Sequence, residues 1–121
     1  MVREARAFTT GSPNAMLDAV FIAEDDEARP RGFLELSVRE FSDGCDSMPV
    51  PHVEGWYVED PARRHGLGRA LMRAAEEWAR THGFTELASD SELDDDAAQR
   101  AHARCGFEEV DRLVKFRKKL D

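Results

Sequence analysis

Val58-Glu-Asp-Pro-Ala-Arg-Arg-His-Gly-Leu-Gly-Arg69 is the stretch on which the fold turns, because it sets Arg63, Gly66 and Gly68 in an R-x-x-G-x-G spacing between a predicted strand and a predicted helix. Glycines at that spacing let successive backbone N–H groups turn toward one concavity with no Cβ in the way. The helix that starts there adds partial positive charge, so a pyrophosphate is well solvated, and Arg63, Arg64 and Arg69 supply compensating charge. A lone G-x-G opens many helices for structural reasons alone, so the neighbouring elements have to carry the rest of the argument.

Before the loop, HVEGWYVE (52–59) reads as a strand with Gly55 in its interior, where glycine often marks a bulge or a close backbone approach; Asp60 and Pro61 end it. After it, Leu67, Leu71, Ala74 and Trp78 recur at helical offsets, with Gly83 placed as the stop. Further upstream, AVFIAE (19–24) predicts a short strand, and FLELSVREF (33–41) alternates Leu34, Leu36 and Val38 with polar residues, the period of a half-buried antiparallel strand. The acidic turn EDDEARPRG between them suggests a hairpin, and SDGCDSMPVP (42–51) a surface loop. Downstream, FTELAS (84–89) reads as a strand, and Asp94, Asp95 and Asp96 suit the start of a second helix carrying Ala98, Ala101 and Cys105 inward and ending at Gly106. FEEVDRLVKFRKKL (107–120) is expected to give one or two more strands. The fold class is therefore α/β or α+β, one domain over residues 1–121.

The bulk numbers exclude several function classes. A hydrophobic fraction of 41% beside 35% charged residues is that of an ordinary globular chain. Its longest apolar runs do not reach a bilayer span and MVREARAFTTG lacks the apolar stretch of a signal peptide, so no membrane partner and a cytoplasmic location are expected. Cys45 and Cys105 make neither a disulfide framework nor a metal cluster. Net charge of −8 repels nucleic acid and is compatible with a small cationic ligand.

With these elements in place, the strand, the loop and the helix resemble the coenzyme A pyrophosphate-binding motif of the GNAT superfamily of N-acetyltransferases. His102-Ala-Arg-Cys-Gly106-Phe107 is similar to the second signature of that superfamily, with histidine where many members have tyrosine. EFSDGCDSMPV (40–50), HVEGWYV (52–58) and ASDSELDDDAAQRAHARCGFEEVDRLVKFRK (88–118) narrow the resemblance to the aminoglycoside 6'-N-acetyltransferases, continuous from about Val20 onward.

The resemblance implies a mixed, mostly antiparallel central sheet with a splayed, bulged strand and flanking helices. It implies acetyl-CoA as co-substrate, held by Tyr57, Val58, Arg63, Arg64, His65, Gly66, Leu67, Gly68 and Arg69. Val58 would offer its backbone to pantetheine, and a nearby strand N–H would polarise the thioester carbonyl. Aminoglycosides are polycations, and the resemblance assigns Glu54 and Asp90 to binding them, with Phe41 at an aromatic position lining the sugar site. One of the two carboxylates, directly or through water, would take the proton from the attacking ammonium, which has no lone pair until it is deprotonated. His102 is either the proton donor to the departing thiolate or a packed histidine on the inner helix face. An acetyl-cysteine route through Cys45 or Cys105 is discounted, since neither has an adjacent histidine to activate a thiolate.

The chain departs from the superfamily at its start. The usual first strand and first helix have no evident counterpart before residue 20, where MVREARAFTTGSPNAMLD supplies at most a short helix. Apolar sheet surface would then be exposed, which predicts a homodimer or a weakly active, aggregation-prone monomer. Two other readings stay open: acetylation of another amine, in a polyamine, amino sugar or protein, and a catalytically silent acetyl-CoA-binding protein.

Overall fold

The apolar run AVFIAE and the alternating FLELSVREF form the predicted hairpin. In the computed structural model, which describes residues 1–5, 17–59 and 66–121, β2 (Ala19–Glu24) pairs antiparallel with β3 (Pro30–Arg39). Asp25 organises the turn: its Oδ1 accepts from the Glu27 and Arg29 backbone N–H groups at 2.9 and 3.0 Å, and Oδ2 accepts from Arg29 and Arg31. Those donors, the Arg29 backbone N–H first, hold its carboxyl well below the usual carboxylate range. Leu34 and Leu36 point inward and are fully buried, each removal from water stabilising the fold by about 1.5–3 kcal/mol.

β3 pairs antiparallel with β4 (Val50–Val58), and β1 (Val2–Ala5) pairs antiparallel with β2, giving a four-stranded sheet in the order β1-β2-β3-β4. β1 corrects the sequence reading, which allowed this stretch at most a short helix. Four residues, VREA, are too few to display a strand period, and it is the ladder to Val20–Ala23 that holds them extended. Residues 6–16, where the rest of the missing-element expectation falls, lie outside the described residues.

α1 (Leu67–Thr81) packs against all four strands. Its buried stripe is Leu71, Met72, Ala75 and Ala79, so only Leu71 of the four residues singled out by spacing is fully buried; Leu67, Ala74 and Trp78 flank the stripe. Gly83 at φ 84 closes the helix in the left-handed region, as predicted. The segment after it forms a single parallel bridge between Ala88 and His52 rather than the expected strand. Ala88 exchanges two backbone bonds with β4, donating to Pro51 O at 2.9 Å and accepting from Val53 N–H at 2.8 Å.

Residues Met1–Asp90 form one compact unit and Ser91–Asp121 a second. In the second, α2 (Asp96–Arg104) is capped by Asp95, whose side chain accepts from Ala98 N–H at 3.0 Å. None of its residues is fully buried; Ala98 and Ala101, and Cys105 just after it, which were expected to face inward, are half-buried. The strands expected over Phe107–Leu120 are absent: residues 107–121 carry neither helix nor strand, and Val110, Leu113, Val114, Phe116 and Leu120 are exposed. A segment becomes a strand only when a neighbouring backbone supplies the ladder, and none of the described residues does so.

Candidate active site

The bulge predicted at Gly55 exists, and it sets the site. Glu35 pairs with Gly55 and Leu36 with Val53, so Glu54 is the extra residue on β4. A Cβ on Gly55 would lie 2.7 Å from the Glu35 carboxylate, so a side chain there would have to displace that carboxylate. The extra residue projects Glu54 out of the core, between buried Val53 and half-buried Gly55.

Glu54 is gripped as soon as it emerges. Arg39 donates to it in a fork, Nη2 to Oε1 at 2.7 Å and Nε to Oε2 at 2.9 Å, and the Ser37 hydroxyl also donates to Oε2. Ser37 and Arg39 lie on β3, two residues apart and therefore on one face. The Arg39 bond, followed by that from Ser37, outweighs partial burial and holds the Glu54 carboxyl below its ordinary value.

Asp90 lies just beyond the Ala88 bridge, with its side chain 72% exposed. Its Oδ2 is 3.3 Å from Nε2 of His52, a buried β4 residue whose Nδ1 is 3.3 Å from the Ser42 hydroxyl. Burial first, then the Arg39 charge, push the His52 pKa down, while Asp90 and Glu54 pull the other way. Glu54 and Asp90 are thus joined electrostatically through Arg39 and His52, which the sequence reading missed. Their signals were present but weak: Arg39 falls on the polar face of an alternating strand, and His52 occupies an otherwise apolar run.

The loop between β3 and β4 is pinned from the same unit. Glu86 accepts from the backbone N–H groups of Asp46 and Ser47, at 2.9 and 2.6 Å, and from the Ser47 hydroxyl. Phe41 stands 62% exposed between β3 and this loop. Burial, then Glu86 and Asp46, push the Cys45 thiol up, which disfavours the thiolate an acetyl-cysteine route would need.

Of the predicted cofactor loop, Arg63, Arg64 and His65 lie outside the described residues. Gly66 is the N-cap of α1 at φ 74, a conformation that glycine adopts without strain. It has no side chain to occupy the first-turn N–H groups, and no acidic residue sits in that turn, so the helix end suits an anion. The nearest neighbours of a Cβ on Gly68 would be the Trp56 ring and Val58, each at 3.7 Å, and Trp56 Nε1 donates to Gly68 O at 3.0 Å. The helix start is thereby tied to the bulged strand. Leu67 and Arg69 open α1, Val58 is buried at the end of β4, and exposed Tyr57 pairs its ring with Phe33.

His102 belongs to the second unit. Its Nδ1 is 2.7 Å from Ala98 O, and its ring meets Phe107 edge-on at 5.2 Å. Nδ1 must therefore carry the proton to donate to that carbonyl, which leaves Nε2 as the lone-pair nitrogen of the neutral ring. Among the described residues there is no cluster of acidic, histidine and cysteine side chains suited to a metal ion.

Residues 4–107 match the acetyltransferase (GNAT) family model. The aminoglycoside N(6')-acetyltransferase type 1 of Klebsiella aerogenes is 48% identical over 102 residues, 84% of this chain and 67% of that protein. The protein of the same name from Stenotrophomonas maltophilia is 44% identical over 104 residues, 85% and 68% of the two chains. Among solved structures, AAC(6')-Iy in complex with the bisubstrate analogue CoA-S-monomethyl-acetylneamine aligns with a TM-score of 0.78 at 36% identity, covering 84% of this chain and 69% of that one. AAC(6')-Ih from Acinetobacter baumannii aligns with a TM-score of 0.78 at 33% identity, over 85% and 71%. The bulged strand leading to a glycine-opened helix and the extent of these matches lead to one conclusion: this chain belongs to the GNAT family of acetyltransferases.

Proposed function

We propose that this acetyltransferase moves the acetyl group of acetyl-CoA onto the 6'-amino group of an aminoglycoside. The observation that carries the reading is the pair of carboxylates beside the bulge, Glu54 and Asp90, in a chain whose relatives bear the name aminoglycoside N(6')-acetyltransferase. A polycationic acceptor needs anionic contacts; Glu54 lies on β4 and Asp90 just beyond the bridge to that strand, and Trp56 of the same strand is bonded to the start of α1.

Each residue has a role in this reading. The backbone between Arg63 and Gly68 holds the pyrophosphate, with Arg64, His65, Leu67 and Arg69 flanking it and Tyr57 and Val58 along the pantetheine. Glu54, fixed by Arg39, binds an ammonium group of the acceptor. Asp90, whose carboxylate is largely exposed, takes the proton as the 6'-nitrogen attacks the thioester carbonyl. The carbonyl carbon gains the nitrogen, the carbon–sulfur bond breaks, and the departing thiolate takes a proton from His102. In the bonding described above, neutral His102 has its proton on Nδ1, so the donation requires the charged imidazolium or a rotated ring. Phe41 stacks on a sugar ring. The enzyme works in the cytoplasm as a homodimer, which would cover the apolar side chains exposed between Val110 and Leu120.

The experiment is a thiol-release assay with acetyl-CoA and matched acceptors. Turnover with 6'-amino aminoglycosides and none with 6'-hydroxyl analogues supports the reading. Turnover only with other amines moves the acceptor class, and coenzyme binding without turnover refutes catalysis. Sedimentation of the same preparation tests the dimer, which a fully active monomer would refute.

A further inference from the structure

His52 has no part in the acetyl transfer as described, yet it is the one buried polar residue among the described residues, 3% exposed. Burying an imidazole is costly unless both ring nitrogens find partners. Here both do, with Ser42 Oγ and Asp90 Oδ2 each at 3.3 Å.

The chemistry of the partners fixes the proton. An ionised carboxylate can only accept, so Nε2 must carry the hydrogen toward Asp90. Nδ1 of the neutral ring then has only a lone pair and must accept from the Ser42 hydroxyl. We propose that His52 is a positioning residue: a neutral Nε2–H imidazole, oriented by Ser42, that holds the Asp90 carboxylate by Oδ2 and leaves Oδ1 for the acceptor amine.

Three features support this. Asp90 lies on a segment that meets β4 through the bridge at Ala88, and its side chain is exposed, so it gains order from a buried donor. His52 is the residue of β4 that this bridge faces, so one backbone contact sets both the ladder and the side-chain pair. Arg39 from β3 opposes protonation of the ring, while Asp90 and Glu54 favour it, and burial decides for the neutral form. A neutral donor orients Asp90 without cancelling its charge, whereas an imidazolium would compete with the incoming ammonium.

The inference rests on the reading of Asp90 as the proton acceptor, so its test separates the two. His52→Leu should lower kcat/KM for the aminoglycoside about tenfold, the scale of one hydrogen bond to a charged group. The loss should fall on kcat, with acetyl-CoA affinity unchanged. His52→Gln, whose amide can donate near the Nε2 position, should recover most of that loss. In an Asp90→Asn background, His52→Leu should cost nothing further. Losses that multiply in the double variant, or a folded His52→Gln as impaired as His52→Leu, overturn the proposal.

If Asp90→Asn leaves turnover intact, the catalytic reading of Asp90 fails by itself. Nitrogen NMR of the imidazole still decides the geometry, whatever Asp90 does in turnover and whether or not His52→Leu folds. The wild type should show the neutral Nε2–H tautomer at neutral pH, perturbed by Asp90→Asn. An Nδ1–H tautomer, an imidazolium, or signals blind to Asp90 would overturn the proposal.

Discussion

Replacing Glu54 by alanine should separate function from stability, because the structure makes the two costs unequal. The carboxylate accepts a two-point fork from Arg39 and a bond from Ser37, yet the Arg39 side chain is 43% exposed. Once its partner is gone, the guanidinium can turn to water, so the stability loss should stay near the level of an exposed pair, about 0–1 kcal/mol. That corresponds to at most about 4 °C in Tm for a domain of this size. A hydrogen bond from an acceptor ammonium to this anion is worth about 1.5–3 kcal/mol, and its removal should lower kcat/KM for the aminoglycoside about ten- to hundredfold. The measurements are thiol release under varied aminoglycoside, calorimetric titration with acetyl-CoA, and a thermal melt. Loss of aminoglycoside use with acetyl-CoA binding intact is the expected outcome. An equal loss of both would refute the assignment of Glu54 to the acceptor side, and a Tm drop of tens of degrees would show that the ion pair is structural.

Other predictions follow from single residues. Gly66→Val should destabilise by about 1–2 kcal/mol, since φ 74 is strained for any side chain even though a Cβ meets nothing within 4 Å; it should also weaken acetyl-CoA binding, measured by calorimetry. Leu71→Ala should cost about 2–5 kcal/mol in chemical denaturation, because the side chain is fully buried beneath the sheet. Stability should fall on acidification in two stages. The lowered His52 pKa favours the neutral folded form, so that contribution is complete above its ordinary value of 6.5 and is lost as pH falls below it. The lowered Glu54 pKa contributes above 4.5 and is lost as pH drops through the folded value. Denaturation midpoints between pH 7 and 5 should therefore decline in the wild type and stay flatter in His52→Gln.

Much of the central fold was legible because its elements announce themselves by period. The Leu34/Leu36 alternation identified β3, and Gly55 marked a bulge whose extra residue is Glu54. The stop of α1 at Gly83 was equally readable from a residue that favours positive φ. What failed was what depends on a partner. β1 is too short for a period and is held by β2, while the tail beyond Phe107, expected to give strands, has no ladder among the described residues. The buried stripe of α1 is also shifted toward Met72 and Ala75, because spacing gives the helix a face but the sheet decides how it is turned.

The site divided the same way. Glu54 and Asp90 are proposed on a motif resemblance, whereas the groups that hold them, Arg39, His52 and Ser42, belong to no motif. Their roles come from cross-strand register: residues 15 and 38 positions apart in the chain meet only after β3, β4 and the Ala88 bridge are assembled.

The most direct test of the central claim is to identify the product formed from acetyl-CoA and a 6'-amino aminoglycoside, by mass spectrometry and NMR. The expected product carries a single added acetyl group, located on the 6'-nitrogen, with stoichiometric release of free coenzyme A. Acetyl on a different nitrogen or on a hydroxyl, or unmodified aminoglycoside beside tightly bound coenzyme, would contradict it.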